Sequence, residues 1–219
     1  SFLCLGLYCY TCAPSVYMID SGELATVQTT LGIAHPTGYP LFTVLGFLWT
    51  RIPLNFSPVY MTNLFVAFFC ACSILFFYKS LLLLLKKTSQ SAHLLIITAI
   101  VTLTLAFSKT VWTQGVGVEV YSLHLLLISI AFLLTLKAYF KSGNDIQSWL
   151  FVGVAFGFCF SNHMTTIVLV PGLLFLFFRK KGFSIPAFKI GLLAAFTGLL
   201  ILALSYSYLY IRANQATVF

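Results

Sequence analysis

Five short blocks hold three of the four carboxylates of this chain, two of its four histidines and one of its three arginines. Asp20-Ser21-Gly22-Glu23 sets two carboxylates three positions apart. At a helix start this spacing is a capping box, with Asp20 at N-cap and Glu23 at N3. Capping accounts for these two residues and for none of the other polar groups. In His35-Pro36-Thr37-Gly38-Tyr39-Pro40, two prolines and a glycine fix a rigid turn that holds His35 in one place. The plainer reading is a helix-breaking connection with a solvated histidine. Glu119-Val120-Tyr121-Ser122 puts a carboxylate at a helix N-terminus, where the helix dipole stabilises it. Ser161-Asn162-His163-Met164-Thr165-Thr166 is a polar cluster between two apolar runs, as many turns are. Tyr210-Ile211-Arg212-Ala213 ends the last apolar run with an arginine that could simply snorkel to headgroups.

Taken together the blocks have a chemistry. Asp and Glu beside His serve general acid–base catalysis. The planar guanidinium of Arg212 suits a phosphate. Asp20, Glu23, His35, Glu119, His163 and Arg212 on one face would fit group transfer from a lipid-borne phosphate donor. The carboxylates and histidines could also ligate a divalent metal, although nothing in their spacing demands one. Neither G-x-x-x-x-G-K-[ST] nor H-E-x-x-H occurs.

These blocks must be positioned by elements that live in lipid. The chain is 60% hydrophobic and 7% charged, against about 25% charged in an ordinary soluble domain. At about 20 apolar residues per span, 219 residues leave room for six or seven spans. An opening run ends near Cys12. Residues 13–57 are more polar and punctuated by proline and glycine, an outer loop with interfacial helices. Within it, 21–31 reads as a short helix with Leu24, Val27 and Leu31 on one face and Gly32 as its cap. The stretch 39–49 is too short to span. Further spans are expected over 60–85, 94–112, 120–139, the short pair 149–160 and 166–178, and 190–210. The expectation is an all-α polytopic transmembrane helical bundle of about seven spans, one module over 1–219. The chain opens on Ser1 inside an apolar run and stops just after the last one, so more chain is expected beyond it.

Threading the spans alternately puts nine cations on one side, from Lys79 to Lys189, and Arg51, Lys109 and Arg212 on the other. The positive-inside rule makes the first side cytoplasmic. Asp20, Glu23 and Glu119, with His35, His124 and His163, then fall on the non-cytoplasmic face. The net charge of +8 does not indicate nucleic acid, because the cations sit at span ends and form no basic stripe. The six cysteines lie mostly in apolar runs, as small hydrophobes, and Cys9-x-x-Cys12 sits in the opening run.

Asp20-Ser21-Gly22-Glu23 followed by Leu31-Gly32-Ile33-Ala34-His35-Pro36-Thr37-Gly38-Tyr39-Pro40 resembles the signature of the transmembrane protein 260 family of O-mannosyltransferases and their bacterial relatives. Glu119 to Leu123, Asn162 to Thr165 and Tyr210 to Ala213 resemble later blocks of that family in the same order. The resemblance implies the membrane module of a C-superfamily glycosyltransferase, with no certain cofactor. It implies a polyprenyl-phosphate sugar as donor, a protein hydroxyl as acceptor, and an Asp of the first outer loop, here Asp20, as base. Glu23 and His35 would position it, and Glu119, Asn162, His163 and Arg212 would meet the donor or substrate. The membrane would be a bacterial plasma membrane or the endoplasmic reticulum, and a further C-terminal region would follow. Two readings compete: a transporter or flippase subunit for a polar or lipid-linked ligand, and a non-catalytic scaffold. A transporter would carry polar residues at mid-membrane depth; here the ionisable ones sit at span ends.

Overall fold

The computed structural model describes residues 2–17, 20–88, 90–143 and 145–215, and these are helical, with no strand among them. The helices are α1 (Phe2–Tyr10), α2 (Ser21–Thr30), α3 (Pro40–Thr50), α4 (Pro58–Thr88), α5 (Leu94–Ala106) and α6 (Lys109–Gln114). They continue as α7 (Tyr121–Phe140), α8 (Ile146–Asn162), α9 (Val170–Lys181) and α10 (Ile185–Gln215), with a 3-10 helix over Met164–Leu169 leading into α9. Among the described residues, three helices, Pro58–Lys87, Tyr121–Phe140 and Ile185–Gln215, are long and apolar enough to cross a membrane. This is fewer than the seven spans expected from the sequence. The stretch expected to run unbroken over 94–112 stops at Ala106, because Ser108 accepts the Val111 N–H and starts a new helix. The region 166–178 is likewise a 3-10 turn followed by α9.

Four helices build the frame: α7 lies between α4 and α8, and α8 packs on α10. The α8–α10 contact is a glycine seam. A Cβ on Gly157 would lie 2.5 Å from the Gly198 carbonyl oxygen, and one on Gly198 2.7 Å from the Gly153 oxygen. Only hydrogen fits there, so the two backbones lock in one register. That register matters because α8 ends at Asn162 and His163, while α10 carries Tyr208 and Arg212.

The short helices α2 and α3 sit across one end of this frame, α2 against α3 and α4, α3 against α4, α8 and α10. Pro40 begins α3, where a missing N–H costs nothing. Beneath them lies a cluster of buried apolar side chains that includes Leu24, Phe42, Phe65, Val118 and Leu123. A second cluster joins α1, α4 and α5; in it the Tyr8 hydroxyl donates to the Ala106 carbonyl at 2.8 Å.

Gly157→Val should lower thermal stability by about 1–3 kcal/mol or more, since backbone blocks the added atoms on α10. Gly172→Ala, with nothing near the new methyl, should be neutral or stabilising by about 0.5–1 kcal/mol. Thermal unfolding of both variants in the same detergent makes the comparison.

Candidate active site

The end of the bundle that carries α2 and α3 gathers the polar blocks. Asp20 occupies the N-cap position of α2, yet its side chain makes no capping bond. Glu23 does not close a capping box either. Its Oε1 accepts the backbone N–H of His35 at 2.6 Å, and its Oε2 faces His35 Nδ1 at 3.0 Å. The His35 N–H above all, then the His35 ring, holds Glu23 below the usual carboxylate range, against a smaller opposing effect of burial. The carboxylate thus closes the loop between α2 and the His35 turn.

Two non-glycine residues in the left-handed region bracket that turn, Leu31 (φ 56°) and Tyr39 (φ 38°). Such backbone costs about 1–3 kcal/mol per residue and persists only where its surroundings enforce it. At Leu31 the enforcement is visible. Its carbonyl accepts Arg212 Nε at 2.7 Å and the Tyr208 hydroxyl at 2.9 Å, and the same hydroxyl lies 2.6 Å from the Gly32 carbonyl. The left-handed cap is therefore Leu31, one residue before the glycine expected there. Arg212 Nη1 also reaches Gln215 at 3.3 Å, which leaves part of the guanidinium fork for a ligand.

Tyr39 links the turn to the far side of the site. Its hydroxyl lies 3.4 Å from His35 Nε2, and its ring stacks on His163 at 5.9 Å between centroids. Tyr121 and His124 approach the same imidazole at 5.3 and 5.4 Å. The Thr165 N–H donates to His163 Nδ1 at 3.2 Å. An amide can only donate, so a neutral His163 carries its proton on Nε2. Burial depresses the affinity of His163 for a second proton.

Glu119 enters from the segment between α6 and α7. Burial first, and then the negative charge of Asp20, raises its carboxyl above the ordinary range; the Val120 N–H and His35 pull the other way. The Tyr39 phenol is raised by burial, then by Tyr121 and by Asp20, Glu119 and Glu23 in turn. Thus the three carboxylates named in the sequence act on one tyrosine. Glu119 is the one biased to keep its proton, whereas Asp20 is exposed.

Two buried asparagines hold this arrangement. Asn63 Nδ2 donates to the Ala13 carbonyl at 2.7 Å and the Ser15 carbonyl at 3.1 Å, while its Oδ1 accepts the Val118 N–H at 2.8 Å. One amide thereby ties the chain leading to Asp20 to the residue before Glu119. Asn162 Nδ2 donates to the Val120 carbonyl at 3.1 Å from the other side. It is 1% exposed, so this candidate substrate residue sits behind the site. The sequence analysis missed Asn63, although a lone amide inside an apolar span was the signal that could have found it. Among the described residues, no three His, Cys, Asp or Glu side chains group to hold a metal ion.

These features define an integral membrane protein, a helical bundle with a carboxylate–imidazole site at one end. Residues 20–185 match the family described as protein O-mannosyl-transferase TMEM260 N-terminal domain, and the chain belongs to that family. It is similar to the mouse protein O-mannosyl-transferase TMEM260, 30% identical over 190 residues, which cover 80% of this chain and 26% of the mouse protein. The Dictyostelium discoideum protein of the same description is 49% identical over 49 residues, 22% of this chain and 6% of that protein. The chain therefore spans about a quarter of the mouse relative. No solved structure matches.

Two outcomes check this geometry. Asn63→Leu leaves two carbonyls and one N–H without their amide partner, at about 1–3 kcal/mol for each group that stays buried, and should cost at least about 2 kcal/mol in thermal unfolding. Glu23→Gln should lower the melting temperature at neutral pH. A depressed carboxyl stabilises the fold above its unfolded value and loses that effect as pH falls through its folded value. The gap between Glu23→Gln and the native chain should therefore close below the ordinary glutamate range.

Proposed function

We propose that this module transfers a sugar, mannose by the description of its relatives, from a polyprenyl-phosphate donor to a protein hydroxyl. The transfer takes place on the non-cytoplasmic face of a multi-pass membrane protein. The observation that supports this most is the convergence of Asp20, Glu119 and the Glu23–His35 pair at the end of the bundle where Arg212 also lies. A lipid-linked donor presents its phosphate at membrane depth, and a protein acceptor arrives from water. Helix ends with a carboxylate facing outward suit both. The shorter helices take part in crossing: α5 with α6, and the 3-10 turn with α9, each make up a span-length pair.

In this reading the acceptor oxygen attacks the anomeric carbon and its proton passes to the Asp20 carboxylate. The bond from that carbon to the phosphate oxygen breaks, and the phosphate departs with the electron pair, so the configuration inverts. Arg212 meets the developing charge with the donors that Leu31 and Gln215 leave over, and His163 offers its Nε2–H beside it. A phosphate leaves without a strong acid. Glu23 and His35 position the loop that carries Asp20, and Asn162 acts as support for Val120.

Because Asp20 makes no capping bond, Asp20→Asn should leave thermal stability within about 1 kcal/mol. It should slow transfer by about a hundredfold to ten-thousandfold, the usual worth of a general base. The assay is transfer of radiolabelled mannose from a lipid-phosphate donor by the full-length protein. An active Asp20→Asn enzyme would return Asp20 to a structural role. Arg212→Lys keeps the charge and loses the fork, so it should weaken donor binding and, through Leu31, loosen the loop. Unchanged donor affinity in that variant would move the phosphate elsewhere, to Arg51 or Lys109.

A further inference from the structure

At the opposite end of α8 from His163, about 25 Å away along its 17 residues, three hollows meet at the last turn of α9. One of them is an apolar groove of about 550 Å³ that runs along α8 between it, α9 and α10, from Trp149, Phe178 and Phe188 past Ala195 to Phe160 and Val170. A second trough of about 500 Å³ lies on the other flank of α9, bounded by Leu174, Phe175, Phe178, Arg179 and Phe183. The two share Leu174 and Phe178. The third hollow, about 270 Å³, is mixed in character, with Lys180, Lys181 and Ser184 beside Gly143, Pro186, Ala187 and Ile190.

We infer that this junction is a binding site for an anionic diacyl phospholipid, with the phosphate at Arg179–Lys181 and one acyl chain in each trough beside α9. Charge argues for an anion. Arg179, Lys180, Lys181, Lys189 and Lys141 crowd this end, and the one carboxylate of the sequence between Lys137 and Lys189, Asp145, is already in an ion pair with Lys141. Lys180 Nζ spends one donor on the Lys141 carbonyl at 2.8 Å and keeps two of its three. Ser184 caps α10 by accepting the Ala187 N–H at 3.3 Å, so the positive end of a 31-residue helix borders the third hollow. Shape argues for a glycerophospholipid: two apolar troughs flank α9, and its last turn carries the basic residues, where a polyprenyl phosphate has a single chain. Basic pockets between helices at a membrane surface hold anionic headgroups in this way. The headgroup position is at the opposite end of α8 from His163, while the groove beside it runs up α8 as far as Phe160.

The experiment is photo-crosslinking of the full chain in nanodiscs. Diazirine-acyl phosphatidylglycerol is compared with the matching phosphatidylcholine at equal mole fraction, and adducts are mapped to residues 170–199. At about 1 kcal/mol per basic residue, phosphatidylglycerol should label this region at least about fivefold more. Arg179→Gln/Lys180→Gln/Lys181→Gln should remove the preference. Ala195→Phe leaves the basic turn intact but fills the groove, so it should cut labelling of α10 even if the triple variant folds poorly. Inorganic phosphate should displace no more label than sodium chloride of the same ionic strength. Equal labelling by the two lipids would overturn the inference. So would specific displacement by inorganic phosphate, which would make this a free-anion site, or preferential displacement by polyprenyl phosphate, which would make it part of the donor path.

Discussion

The Asn63 amide is the bond set on which the rest of the site depends. It is buried on α4 and made wholly to backbone, with Ala13, Ser15 and Val118 as partners. A helix surrounded by lipid cannot leave such an amide unsatisfied, and neither can the carbonyls and N–H it serves. The chain therefore has little choice about where its first loop departs and where the segment before α7 arrives. Asp20 and Glu119, 99 residues apart in sequence, become electrostatic neighbours because one side chain fixes both approaches.

A second constraint works from the far end of the chain. Arg212 and Tyr208 grip the Leu31 carbonyl and hold that residue in left-handed backbone. The glycine seam between α8 and α10 sets the register from which they reach it. The same register brings His163 under Tyr39. The fold converts two long-range contacts, one through α4 and one through α10, into a short loop with few alternatives. Under the proposed transfer, preorganisation of this kind would make a single carboxylate useful as a base, since geometry is settled before an acceptor arrives.

Much of this was legible in the sequence. Hydrophobic runs and cation placement identify a lipid-embedded helical protein, and the short helices at 21–30 and 40–50 follow from proline, glycine and short apolar faces. The polar blocks named from residue type do assemble at one end. Less legible was the division of labour inside them. Asp20 and Glu23 have capping-box spacing, and only the three-dimensional position of His35 shows that Glu23 turns away to clasp it. Asn162 looks like a site residue by its neighbours, yet burial puts it in support of Val120. The break at Ser108 and the 3-10 turn after His163 depend on local hydrogen bonds that compete with hydrophobic periodicity, so apolar runs alone overstate the unbroken spans.

The central claim is that Asp20 and Glu119 share one site, and the titration of Glu119 tests it most directly. The chain has two glutamates, Glu23 and Glu119, so carboxyl-labelled glutamate gives two signals that a Glu119→Gln sample assigns. Glu119 should titrate above the ordinary glutamate range and move down when Asp20→Asn removes the neighbouring charge, while Glu23 titrates below that range. A Glu119 that titrates normally and ignores the Asp20 substitution would mean that the two carboxylates do not meet, and the single-site account would fall.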